Sequence, residues 1–148
     1  GSKSVVHFVT RDHSPSCDFE QKRLQRGIDD GFEYSLPQCS LSRWWVQVGD
    51  WQYAVSRSLE GSTATSKGIV SDADYYRINL SEVDRTNPAI LIGSDGLFES
   101  MDNEFIGNVL IQYRSNGISA VDAAKAICQL AIEKGSADNV SAVILYLE

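Results

Sequence analysis

The stretch Pro88-Ala89-Ile90-Leu91-Ile92-Gly93-Ser94-Asp95-Gly96 decides how the rest of the chain is read. Its apolar run is continuous and short, the pattern of a strand buried on both faces, and an acidic turn follows at once. A second acidic pair stands at the opposite end of another strand. Asp138-Asn139 precedes Val140 to Leu147, which alternates loosely and reads as a last buried strand. If the two strands are antiparallel neighbours, the end of one lies beside the start of the other, and both carboxylates face one edge of the sheet. Two unpaired carboxylates that close repel and partly protonate unless a cation sits between them. Mg²⁺ and Mn²⁺ prefer oxygen ligands and keep several waters, so a few carboxylates suffice. Gly96 would let the backbone approach closely, and Asn139 would hold a coordinated water or ligand. Asp-Gly after a strand and Asp-Asn before one are also ordinary turn dipeptides, and local chemistry alone leaves that alternative open.

Between the two strands the spacing predicts two helices. Asp102 caps the first, which runs to about Ser115 with Phe105, Ile106, Val109, Leu110 and Tyr113 on one stripe and Gly117 at its end. Ser119 and Asp122 form a capping box for the second, with Ala124, Ile127, Cys128 and Ala131 at helical spacing and Gly135 as its stop. Upstream, Val5 to Thr10 is expected to be a strand, and Asp18 to Arg26 a short helix that Gly27 stops. Ile28 to Arg43 reads as loop. Trp44 to Val48 and Trp51 to Val55 flank Gly49-Asp50 as a hairpin, and Glu60 to Lys67 reads as a mobile surface loop. Strands, an irregular stretch, a strand, two helices and a strand make an α+β protein without internal repeats.

The 148 residues suffice for one domain, and no apolar run approaches a bilayer span, so no membrane partner is expected. A formal charge of −7 lacks the clustered Lys and Arg of a nucleic-acid surface. Cys17, Cys39 and Cys128 fit neither a disulfide framework nor a zinc site, which favours a reducing compartment, cytoplasmic or nuclear. Gly1-Ser2 reads as an expression scar, leaving 3–148 as the domain sequence. No Cys-His or Ser-His-Asp arrangement and no phosphate-binding loop is present, so no catalytic residue independent of metal is proposed.

Several segments, in order, resemble the type 2C, metal-dependent Ser/Thr protein phosphatase family. Val9-Thr10-Arg11-Asp12-His13-Ser14-Pro15 with Glu20 and Arg23-Leu24 is similar to that family's "LT-x-DH-x-P…E-x-x-R-I" element. Ala54-Val55-Ser56-Arg57-Ser58-Leu59 resembles "AVSRALGD", and Ile69-Val70-Ser71 through Ile78 resembles "V-S-x-x-P-E-V". Leu91 to Met101 matches "LILASDGLWDVM", and Ala131 to Ser141 matches "A-x-x-x-GS-x-DN-V-T". The last two are the most specific.

The resemblance implies a β-sandwich flanked by helices, in four layers, with two Mn²⁺ or Mg²⁺ ions at one edge. Asp95 and Asp138 would be metal ligands, with Gly96 and Asn139 beside them. Ser56, Arg57, Glu60 and Gly61 would belong to a flap that meets substrate. The implied reaction is hydrolysis of phosphoserine and phosphothreonine in phosphoprotein substrates, by metal-activated water. The family's "Asp-Gly-His-Gly-Gly" and "Gly-Asp-Ser-Arg" elements do not occur, so the chain is expected to be the C-terminal half of the domain. The isolated half would be weak or inactive, and its partners would be the missing N-terminal half, a homodimer mate or a regulatory protein. Glu60-Gly61 stands where the family has Gly-Asp, which keeps open a pseudophosphatase serving as a regulatory protein-binding module. An unrelated acidic interaction domain is the remaining alternative.

Overall fold

The computed structural model describes residues 6–32, 34–35, 38–40, 43–59, 62–65, 67–83 and 88–147. The fold is α+β, and it divides into two compact units, Thr10–Tyr76 and Gly1–Val9 with Arg77–Glu148.

In the Thr10–Tyr76 unit, helix α1 (Asp18–Asp29) is followed by β1 (Gln38–Ser40), β2 (Arg43–Val48) and β3 (Trp51–Tyr53), an antiparallel sheet in that order. The expected hairpin is present, with Val48 opposite Trp51 and Gly49 at φ 60°. Strand β1 falls in the stretch expected to be loop; it pairs with β2 through Cys39 opposite Trp44. A three-residue edge strand is too short to show a period, and only its neighbour defines it. Helix α1 runs past Gly27 to Asp29, and the turn is made by Gly31 at φ 95°. Gly27 has another use. A Cβ there would come within 2.0 Å of the Tyr34 hydroxyl, and one on Gly68 within 2.0 Å of the Tyr34 ring. Tyr34 thus slots between two glycines and donates to the Leu24 carbonyl at 2.8 Å. Around it pack Leu24, Val46, Val48, Ala64 and Ile69. Ala64 belongs to a one-turn helix, α2 (Ser62–Thr65), inside the segment expected to be a mobile loop. Its burial in this core is what orders it.

In the other unit, β4 (Ala89–Gly93) leads into a single turn, α3 (Asp95–Phe98), then α4 (Asn103–Ser115), α5 (Ala120–Glu133) and β5 (Ala142–Tyr146). Both expected caps form. Asp102 accepts from Phe105 N–H at 2.8 Å, and Ser119 Oγ accepts from Asp122 N–H at 3.1 Å while bonding the Asp122 carboxylate at 2.7 Å. Gly117 (φ 72°) and Gly135 (φ 97°) end the two helices. The core is Leu97, Met101, Ile106, Leu110, Ala123, Ile127, Ala131 and Ile144.

Strands β4 and β5 are antiparallel, with Leu91 opposite Ile144 and Gly93 opposite Ala142. They are not buried on both faces as expected. Leu91 and Ile144 face the core, whereas Ile90 and Ile92 pair with Leu145 and Val143 on a face that is 43 to 66% exposed. The apolar run signalled an apolar environment on both sides; this chain supplies the cover for one. Of the expected strand Val5 to Thr10, Val5 lies outside the described residues, and residues 6–10 form neither helix nor strand. At the far end of the β4–β5 pair, Arg114 donates to the carbonyls of Pro88 and Leu147 and lies 4.9 Å from the Tyr146 ring centre. That clamp fixes the pair from the helix side, leaving the opposite rim to the two acidic turns.

Gly68 combines φ 112° with no room for a methyl group, whereas Gly117 at φ 72° faces open space. Gly117→Ala should therefore cost only the left-handed backbone penalty, about 1–2 kcal/mol. Gly68→Ala adds overpacking of about 1–3 kcal/mol. All three tryptophans lie between residues 44 and 51, so the denaturant midpoint of tryptophan fluorescence should fall further for Gly68→Ala than for Gly117→Ala.

Candidate metal centre

The antiparallel register carries the two acidic turns to one rim. Ser94 prolongs the ladder by one step, donating its N–H to the Ser141 carbonyl at 3.1 Å. Its hydroxyl does two further things, donating to the Asn139 carbonyl at 3.0 Å and accepting from Ser141 N–H at 3.1 Å. Ser136 Oγ donates to the Gly96 carbonyl at 2.8 Å. These bonds stitch Ser136–Ser141 onto Ser94–Gly96. Gly96 is the point of closest approach: a Cβ there would stand 2.7 Å from the Asn139 carbonyl oxygen and 3.3 Å from Asp138 Cβ. Only glycine permits that spacing.

Asp95 and Asp138 are both exposed at this rim. Each is held by its own turn, Asp95 Oδ1 accepting from Gly96 N–H at 2.9 Å and Asp138 Oδ1 from Asn139 N–H at 2.6 Å. The second oxygen of each makes no hydrogen bond, and neither carboxylate pairs with a cationic side chain, among the described residues. Two carboxylates with spare oxygens, beside backbone carbonyls, are hard donors of the kind Mn²⁺ and Mg²⁺ take. The donor set fits such an ion in kind. Among the described residues no group of three or more His, Cys, Asp or Glu side chains gathers, so a shell built here also needs water or ligands from elsewhere.

The residues expected in a flap lie in the Thr10–Tyr76 unit. Glu60 and Gly61 fall outside the described residues. Ser56 and Arg57 turn inward. Ser56 is fully buried, its hydroxyl and N–H both donating to the His13 carbonyl, at 2.7 and 2.8 Å. Arg57 joins a network that sequence patterning missed, centred on Glu20. This glutamate is 0% exposed, and both its oxygens are engaged. Oε1 accepts from Arg57 Nε at 2.8 Å and Oε2 from Arg23 Nε at 2.9 Å. Arg23 reaches on to the carbonyls of Ser56 and Gly68, and Arg57 to the Asp72 carbonyl and Asp74 Oδ1. Asp74 Oδ2 in turn lies 3.0 Å from His13 Nε2. Burial alone would push the Glu20 carboxyl up, but the hydrogen bonds from Arg57 and Arg23 outweigh it and hold it below the usual carboxylate value. Asp74 is held below its usual value chiefly by His13, then by Arg57. One signal in the sequence points to the network: Glu20 stands on the same helical face as Leu24 and Gly27, where a lone carboxylate would be intolerable.

The α+β fold, with a carboxylate-bearing rim between two antiparallel strands, defines a class of candidate divalent-metal proteins. Comparison with known proteins narrows it. The family model described as Protein phosphatase 2C matches residues 1–140, and the chain belongs to that family. It is 26% identical over 145 residues to human Protein phosphatase 1A, covering 95% of this chain and 35% of that protein. It is 28% identical over 149 residues to Probable protein phosphatase 2C 69 of Arabidopsis thaliana, covering 98% and 35%. The solved structure of a C. elegans sex determining protein superposes with a TM-score of 0.67 at 24% identity, over 95% of this chain and 32% of that one, a likeness of fold. The chain spans about a third of the length of the curated relatives it matches.

Substituting Gly96→Ala should press a methyl group onto unyielding backbone and cost about 1–3 kcal/mol, read as a lower thermal midpoint. Arg57→Ala would leave the buried Glu20 with one partner, for a loss on the order of 3 kcal/mol. Both Glu20 and Asp74 titrate low when folded, so their contribution is complete above the ordinary carboxylate range and is lost as pH falls through their folded values. Acid unfolding followed by tryptophan fluorescence should therefore begin at higher pH in Arg57→Ala than in the parent chain.

Proposed function

We propose that this chain is part of a Ser/Thr protein phosphatase of type 2C, and that Asp95 and Asp138 bind its divalent ions. The observation that carries this is the β4–β5 register, which sets two exposed carboxylates, without cationic partners among the described residues, at one rim in a chain of the 2C family. The substrates would be phosphoserine and phosphothreonine in proteins, and the ions Mn²⁺ or Mg²⁺. When bound, such ions lower the pKa of water and stabilise charge on a phosphoryl group. The chain's own residues supply the aim. The N–H groups of Gly96 and Asn139 fix one oxygen of each carboxylate, Ser94 locks the spacing of the two turns, and Gly96 keeps the approach open. In the proposal the rest of the two-ion site, and the second sheet of the sandwich, come from chain beyond these 148 residues.

The exposed face of Ile90, Ile92, Val143 and Leu145 supports that last point, since an apolar sheet face is ordinarily covered. A second reading, a pseudophosphatase acting as a regulatory binding module, is favoured by one observation. Ser56 and Arg57 are consumed by internal bonds in place of facing outward.

Calorimetric titration of this chain with Mn²⁺ should give weak binding that disappears in the Asp95→Asn, Asp138→Asn double variant; equal heats from both proteins would contradict the assignment. The chain alone should hydrolyse a phosphopeptide little or not at all, while a longer polypeptide that completes the domain should do so only with Mn²⁺ or Mg²⁺. A metal-saturated longer polypeptide without activity would favour the regulatory module.

A further inference from the structure

The chain leaves the first compact unit at Tyr76 and enters the second at Arg77, and the segment leading to that joint has an unusual attachment. Residues 71–80 contain no helix or strand and are exposed throughout. Val70 still belongs to the body of the unit, bridging to Arg57 and accepting from Ser58 N–H at 3.0 Å. Four residues on, Asp74 reaches back. Its Oδ1 accepts from Arg57 Nη1 at 3.0 Å, the same nitrogen that holds the Asp72 carbonyl at 3.1 Å. Its Oδ2 lies 3.0 Å from His13 Nε2 and 3.3 Å from the Tyr76 hydroxyl. The holders are rigid. Arg57 is oriented by the fully buried Glu20, and the His13 carbonyl is gripped by buried Ser56. A fixed buried network thus presents two donors outward, and one carboxylate on an otherwise irregular segment occupies both.

We infer that Asp74 is a latch that fastens the irregular segment 71–76 to the Glu20–Arg57 network. It does not depend on the phosphatase proposal. With the latch closed, Asp74 is held to Arg57 and His13; opening it removes both contacts and leaves the Asp72 carbonyl on Arg57 Nη1. Because the pair is partly exposed, salt screens the latch far more than it screens Glu20 itself.

Heteronuclear ¹⁵N–{¹H} NOE measurements on the intact chain test this, comparing the parent with Asp74→Asn and His13→Ala. The expected result is a clear drop over 71–76 for Asp74→Asn, a smaller drop for His13→Ala, and unchanged values in α1 and α5. Trypsin should cut after Arg77 several-fold faster in Asp74→Asn. Parent-like values at 71–76 together with a parent-like cutting rate in Asp74→Asn would overturn the inference. So would a drop spread equally over α1, since Asp74 would then support the whole unit and latch nothing.

Discussion

Backbone pairing between β4 and β5 is the constraint from which the candidate site follows. Antiparallel strands place the last residue of one against the first of the next, and a one-residue slip would send every side chain to the other face. Here the register puts Gly93 opposite Ala142, so the turns that follow and precede these residues must meet. Arg114 pins the distant end through two carbonyls, and Ser94 pins the near end through two hydrogen bonds of its hydroxyl. The cost of gathering two carboxylates at one rim is thereby met by backbone geometry, without a cationic side chain paired to them among the described residues.

The first unit solves a charge problem in the opposite way. Glu20 is withdrawn from water altogether, and two arginines meet its oxygens, each through Nε and Nη2. A buried ion pair of this kind is weak evidence for net stability, because desolvation takes back much of the attraction. It does specify geometry. Through Arg23 and Arg57 one carboxylate orders four carbonyl or carboxylate acceptors, at Ser56, Gly68, Asp72 and Asp74, on segments far apart in sequence.

How much of this was legible in the sequence depends on the range of the interaction. Helices α4 and α5, with their caps at Asp102 and Ser119 and their stops at Gly117 and Gly135, are written in local chemistry, and so is the Gly49-Asp50 hairpin. The juxtaposition of Asp95-Gly96 with Asp138-Asn139 needed one topological assumption, and the strands satisfy it. Local pattern failed where an element exists only through its neighbours. Strand β1 is defined by β2, α2 by the core around Ala64, and residues 6–10 of the expected strand Val5 to Thr10 form neither helix nor strand. The inward turn of Ser56 and Arg57 depends on Glu20, thirty-odd positions away, which no spacing rule connects. A continuous apolar run reads as burial on both faces because an apolar residue records the surroundings it suits, yet Ile92 and Val143 stand exposed here.

The central claim is that the turns at 95 and 138 form one metal-binding rim. Paramagnetic broadening of backbone amide resonances by substoichiometric Mn²⁺ tests it most directly. The account predicts that amides of Ser94 to Gly96 and of Asp138 to Ser141 broaden together at the same metal ratio, before α4 is affected. Broadening confined to one of the two turns, or centred elsewhere in the chain, would contradict it.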